Sequence, residues 1–283
     1  MNKWTQRSFE ISYENGYLDK LHDVYPILDN GVRELDAITK GKLKTAFEKK
    51  DDALLFKALL TLNKFPIKDS YIPFFTRCKS NEVNLLIKSN PTIVSRIANR
   101  IYNLGFDKMI SSFEEPIETS RQMGPAFSIW IRSKYTCYTS QEAFFNSKDE
   151  ISVLAGNDAF LVEFVRKYLN LSLPKYPSGY ERGLDIVVKL NTSPTPTFVI
   201  GEAKFLYDEG GMQYPQLKDA LNFITSKDFE VHGYFNVIRV AILDGVCWLS
   251  GARKMQKDIR DLNDNQIAIS ALLLDDFFTE LLK

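Results

Sequence analysis

The chain has 283 residues, 45% hydrophobic and 25% charged, with 36 Lys/Arg balanced by 36 Asp/Glu. That is a globular balance in a chain long enough to bury a substantial core, and it excludes a disordered protein. Zero net charge excludes a nonspecific, histone-like DNA coat, but not an enzyme that needs only a local basic surface and whose metal-binding acids offset it.

The charge is mildly uneven: residues 1–150 carry 22 Lys/Arg against 19 Asp/Glu, and the remainder carries 14 against 17. The opening MNKWTQRSFEISYENGYL is polar, with no apolar core of a secretory signal, and no apolar run approaches the ~20 residues of a membrane-spanning helix. A cytoplasmic protein with no membrane partner is expected. Cys78, Cys137 and Cys247 are odd in number and far apart, which predicts reduced structural thiols rather than a disulfide framework or a zinc site.

In chain order, residues 1–135 read as a helical N-terminal region. GYLDKLHDVYPILDNGV and DDALLFKALLTLNKF carry apolar residues at three- and four-residue spacing. SNEVNLLIKSNPTIVSRIANRIYNLGF predicts two helices, the second with Pro91 in its first turn and Asn90 or Ser89 as cap. RQMGPAFSIWIRSKY predicts another, begun or broken near Gly124-Pro125. The polar TSQEAFFNSKDE suggests a soft boundary near 135–150, so that 136–283 forms the second region or continues the first as one domain.

Beyond it, NDAFLVEFVRKYLNL predicts a helix capped by Asn157. GLDIVVKL and TFVIGEAKF predict an antiparallel hairpin across NTSPTP. MQYPQLKDALNFITS predicts a helix, and FNVIRVAIL-DG-VCWLS two strands around an Asp-Gly turn. QIAISAL reads as a short strand and DDFFTELLK as a last helix. The order implies an α/β (α+β) fold, a mixed central sheet flanked by helices.

The candidate chemistry lies in FVIGEAKFLYDEGGMQ, residues 198–213. Alternation along a strand puts Ile200, Glu202 and Lys204 on one face, and Gly201 marks a close approach of backbone or ligand. Asp185 interrupts the preceding strand, and pairing across NTSPTP brings it towards Glu202. Two convergent carboxylates suit a hard cation such as Mg²⁺, and a lysine beside them can orient a water and offset phosphoryl charge. The competing reading is a surface Glu–Lys salt bridge, worth ~0–1 kcal/mol.

The run RGLDIVVKL…FVIGEAKFLYDEGGMQYPQLKDAL resembles the catalytic core of type II restriction endonucleases in the PD-(D/E)xK nuclease superfamily. VLAGNDAFLVEF is similar to the helix before that core, and FPIKDSYIPFF, NPTIVSRIANRIYNLG and PIETSRQMGPAFSIWI resemble N-terminal segments of such enzymes, so the likeness spans residues 64–224. Leu184 stands where the pattern has proline, a loosely kept position.

The resemblance implies a restriction-endonuclease-like core with Asp185, Glu202 and Lys204 as catalytic set. It implies Asp185, Glu202 and the Ala203 carbonyl as metal ligands and Gln213 in support; Glu163 reads either as an additional acid or as a solvated helix-face glutamate. It further implies Mg²⁺-dependent hydrolysis of double-stranded DNA at a short sequence, leaving 5′-phosphate and 3′-hydroxyl ends. A homodimer and a cognate methyltransferase follow from the same resemblance.

Arg121, Gln122 and Arg182 are candidate DNA contacts, the first two with the alternative of capping and packing a helix. Lys40–Lys50, in TKGKLKTAFEKK, reads as a solvated helix face rather than a phosphate-binding strip, and SYIPFF and FSIWIRSKY read as core rather than stacking platforms. Only His22 and His232 are present, without a G-x-S-x-G elbow or a G-x-x-x-x-G-K-[ST] loop, which excludes a Ser-His hydrolase and an ATP-driven translocase. Two alternatives stay open: a repair nuclease without sequence preference, and a non-catalytic DNA-binding protein with a degenerate core.

Overall fold

The computed structural model describes residues 1–27, 34–62, 64–79, 81–114, 122–176, 179–227, 229–231 and 234–283. The chain divides into two units, Met1–Leu28 with Glu118–Lys283, and Asp29–Ile117. The division does not fall near 135–150, because apolar faces of the first helices pack with residues beyond that point.

The first unit opens with α1 (Lys3–Ile11) and α2 (Tyr17–Val24). The second holds α3 (Ala37–Glu48), α4 (Asp52–Leu60), α5 (Ile72–Thr76), α6 (Val83–Ser89), α7 (Pro91–Leu104) and α8 (Phe106–Glu114). Its core gathers Leu43, Phe56, Leu59, Ile97, Ile101 and Met109 from the inward stripes of α3, α4, α7 and α8. Asp36 caps α3 by accepting from the Thr39 N–H, Pro91 starts α7, and Lys42 and Lys44 lie on the exposed face of α3. In SYIPFF, Ile72 and Phe75 are buried while Tyr71 and Phe74 are exposed.

The first unit resumes with α9 (Met123–Lys134), β1 (Thr136–Tyr138), α10 (Gln141–Phe145), β2 (Ile151–Leu154), α11 (Asp158–Tyr168) and β3 (Leu171–Ser172). Then come β4 (Ile186–Leu190), β5 (Thr197–Leu206), α12 (Gln213–Thr225), β6 (Glu230–Val231), β7 (Asn236–Gly245), α13 (Arg253–Arg260), β8 (Ile267–Ile269) and α14 (Leu274–Leu282). Six strands form a mixed sheet in the order β1-β2-β4-β5-β7-β8, and β3 pairs with β6. β4 is antiparallel to β2 and β5, while β1–β2, β5–β7 and β7–β8 run parallel.

The central strands are apolar on both faces because helices cover both, giving the mixed sheet flanked by helices that the sequence predicts. Ile200, Leu206 and Leu243 pack with α11 and α12 on one side; Val199, Val240 and Ile242 pack with α2, α9 and α14 on the other. The 197–201 stretch of β5 forms the expected hairpin with β4. Asn157 caps α11 by accepting from the Phe160 N–H.

Asp244-Gly245 is not a hairpin turn. It ends β7 and leads into a single 3-10 turn, Val246–Trp248. Gly245 has φ +97°, and a Cβ there would come within 2.0 Å of the Leu206 carbonyl oxygen. The glycine therefore serves a close approach of two parallel strands. Of the thiols, Cys247 is buried but Cys137 is exposed on β1, so it is not a core residue.

Candidate active site

β4 begins at Ile186, paired with Gly201, whereas β5 runs on to Leu206 with β7 along its other edge. Residues 202–206 are therefore paired on one side only, and the chain that would have extended β4 supplies Asp185 instead. The Asp185 N–H donates to the Gly201 carbonyl at 3.0 Å, and its Oδ2 accepts from the Ala203 N–H at 2.8 Å. Since the N–H and C=O of one strand residue point the same way, the Ala203 carbonyl faces this open edge too. At Gly201 the seam is tight: a Cβ would lie 2.7 Å from the Val240 carbonyl oxygen.

Glu202 and Lys204 share the α11/α12 face of β5. The Lys204 ammonium lies 3.2 Å from Asp185 Oδ2 and 3.6 Å from Glu202 Oε2. Glu202 is only 1% exposed, and its other oxygen, Oε1, accepts from the buried Arg182 guanidinium. Glu202 Oε2 is buried and has no hydrogen-bond partner among the described residues. Asp185 is more open, at 32% side-chain exposure.

Burial pushes the Glu202 carboxyl above the ordinary range, although Lys204 and Arg182 oppose it. Burial also works against the Lys204 ammonium, but Asp185 and Glu202 outweigh it and hold its pKa above the usual lysine value. Tyr176, half-buried, is raised by burial and then by Glu202.

The structure thus brings Asp185, Glu202 and Lys204 together. Gln213, the first residue of α12, is buried, and its Oε1 accepts from the Tyr207 N–H at 3.3 Å, tying the segment after β5 to the helix rather than touching the trio. Glu163 is exposed on α11 and makes no hydrogen bond to the trio. Gln122 precedes α9, and Arg121 and His232 lie outside the described residues. Arg182 is no surface DNA contact: its side chain is fully buried and spends its donors inside the protein. Tyr176, Asp219 and Asn222 around it carry no signal in the sequence, because they converge only through the fold.

Among the described residues no three His, Cys, Asp or Glu side chains gather as a metal site. The donor set nevertheless fits a hard cation that completes its shell with water and phosphate oxygens: two carboxylates, each with an oxygen that takes no hydrogen bond among the described residues, and a carbonyl on the open edge.

The comparisons supply the class. Over residues 2–281 the chain matches the model of a restriction-enzyme family, which makes it a restriction endonuclease, a hydrolase that cuts DNA at specific sites. It belongs to the family described as Tsp45I type II restriction enzyme. No curated protein and no solved structure matches it. Type II restriction enzymes generally use a divalent metal ion. Among the described residues no helix is long and apolar enough to cross a membrane.

Proposed function

We propose that this endonuclease hydrolyses phosphodiester bonds at a short sequence in double-stranded DNA with Mg²⁺ as its ion, leaving 5′-phosphate and 3′-hydroxyl ends. The observation that carries the reading is the meeting of Asp185, Glu202 and Lys204 at the unpaired edge of β5, with Glu202 Oε2 buried and unsatisfied.

Asp185 and Glu202 would hold the ion, with the Ala203 carbonyl as a further oxygen. When bound, Mg²⁺ supplies a Lewis acid for the phosphate and lowers the pKa of a bound water. Lys204 orients the attacking water and offsets the charge that grows on the phosphoryl oxygens. Gln213 supports the site by fixing the segment that follows Lys204.

A homodimer accounts for cutting both strands, since a two-fold protein axis mirrors a palindromic site. The helical N-terminal region embraces DNA, dimerises, or both, and a cognate methyltransferase protects host DNA. The cytoplasm, where that DNA lies, is the proposed location.

The test is digestion of long unmodified phage DNA with Mg²⁺, beside EDTA and Lys204→Ala lanes. Discrete bands that vanish in both controls are expected. A smear would replace the reading with a nuclease lacking sequence preference. Intact DNA in every lane, across several salt concentrations, would overturn the assignment of the trio.

A further inference from the structure

Arg182 joins three parts of the catalytic unit. Its Nε donates to the Pro174 carbonyl at 2.9 Å, Nη1 to Glu202 Oε1 and to the Asp219 carbonyl at 3.0 Å, and Nη2 to Asn222 Oδ1 at 3.0 Å. The guanidinium carbon lies 4.4 Å from the centroid of the Tyr176 ring and 5.4 Å from that of Phe223. The cation thus sits between two aromatic rings with a carboxylate at its edge, and its side chain has no exposed surface. Burying a charge is costly unless partners surround it, and a rigid planar fork fixes the orientation of what it binds.

The consequence falls on Glu202. Arg182 engages Oε1 and leaves Oε2 as the oxygen on the Lys204 side, 3.6 Å from the ammonium. Asp185 is divided in the same manner, its Oδ2 engaged by Ala203 and Lys204. Each carboxylate has one oxygen tied to the protein and one left for the site.

We propose that Arg182 is a positioning residue for the reaction: it sets the rotation of the Glu202 carboxylate so that Oε2 is presented for the metal ion before DNA arrives. It touches neither DNA nor the reacting atoms. Asn222, Asp219 and Pro174 hold the fork, so α12 and the 174–182 segment set the orientation of a ligand carried on β5. The inference rests on the reading of Glu202 as a metal ligand given above.

The experiment compares Arg182→Lys, which keeps the charge and loses the fork, with Asn222→Ala, which removes one bond from the fork. Folding is checked by circular dichroism. Three quantities are then measured: kcat on a fragment carrying the site, the Mg²⁺ midpoint for cutting, and DNA affinity in EDTA. A fourth is Mg²⁺ binding by calorimetry with each change placed in a Lys204→Ala background.

Misplacing a catalytic group costs roughly 10²-fold, and losing the partner of a metal ligand costs roughly 10–100-fold in metal affinity. Arg182→Lys should therefore lower kcat by about 10²-fold and weaken Mg²⁺ binding by about 10-fold or more, with DNA affinity in EDTA unchanged. Asn222→Ala should give the same pattern, smaller. Folded variants with wild-type kcat and wild-type Mg²⁺ binding overturn the proposal, as does a loss of DNA affinity in EDTA that accounts for the lost cutting. If Arg182→Lys does not fold, Asn222→Ala decides by the same criteria. A Glu202→Gln protein that cuts normally would instead remove the metal-ligand reading itself, whatever Arg182 does.

Discussion

Replacing Asp244 with asparagine isolates one buried carboxyl group in the strand next to β5. Asp244 pairs in register with Phe205 on β5 and is fully buried. Its Oδ2 accepts from the Tyr25 hydroxyl at 2.8 Å and the Ala271 N–H at 3.1 Å, and its Oδ1 from the Ser270 hydroxyl at 2.5 Å. Burial, opposed by the hydrogen bonds from Ser270, Tyr25 and Ala271, pushes its carboxyl up to about 7. An unfolded aspartate titrates at about 3.9.

Between those values the folded chain binds more protons at this position than the unfolded one. The group's favourable contribution is therefore complete below about 4, shrinks as pH rises, and is lost once pH has passed through the folded value near 7. Three units correspond to about 4 kcal/mol, of which roughly 3 kcal/mol falls between pH 5 and 8.

Asparagine keeps the shape: its oxygen can accept from Tyr25 and Ala271, and its amide can donate to the Ser270 oxygen. Urea unfolding of both proteins at pH 5, 6, 7 and 8 gives the difference in stability, in which the other titrating groups largely cancel. That difference should move by roughly 3 kcal/mol in favour of Asp244→Asn from pH 5 to 8. A flat difference, or one that moves the other way, would refute the reasoning, because Asp244 would then be ionised in the fold at little cost.

The two candidate metal-binding acids should separate in stability. Glu202→Ala leaves Arg182 buried without its carboxylate and should cost about 3–5 kcal/mol, whereas Asp185→Ala, at a more open position, should cost clearly less. Thermal melts of the two variants check the order, and equal losses contradict it. Gly201→Ala forces a Cβ to 2.7 Å from both the Val240 carbonyl oxygen and its Cγ2, so it should lose about 1–3 kcal/mol and cut more slowly as Glu202 moves; wild-type melting and cutting would disprove the tight seam. Met1–Lys3 meets the C-terminal part through the Met1 amino group on Asp264 and Lys3 on Glu280, both exposed pairs, so Asp264→Asn should change stability by no more than ~1 kcal/mol in a urea titration.

What was legible in the sequence was what the chain decides locally. Glu202 and Lys204 share a face because a strand alternates, and the hairpin across 191–196 carries Asp185 to them. Arg182 was legible only as a candidate DNA contact, not as a partner of Glu202; its other partners Pro174, Asp219 and Asn222 come from separate segments that only the packing of α12 on β5 brings together. Asp244-Gly245 carried a genuine signal of positive φ, and the turn reading misjudged its use: β7 is buried between β5 and β8, so the glycine serves contact with Leu206 rather than a reversal. β1, β2 and α10 were missed because runs of three to five residues are too short to establish a period; α13 turns inward on Met255 and Ile259 amid charged neighbours.

The site follows from how the sheet ends. An apolar sheet covered on both faces has no natural place for two carboxylates and an ammonium. Stopping β4 at Ile186 while β5 continues to Leu206 creates one, because backbone groups of β5 beyond Gly201 lose their partner on that side. Asp185 fills part of the gap by accepting from the Ala203 N–H, and so links the acid to the backbone that carries Glu202 and Lys204. The two acids then differ in kind. Asp185, a third exposed, keeps contact with water and has room to adjust. Glu202, nearly sealed from water, cannot rely on solvent to orient it, so its geometry has to be set by the protein, and the planar Arg182 fork hydrogen-bonded to Oε1 is suited to do so.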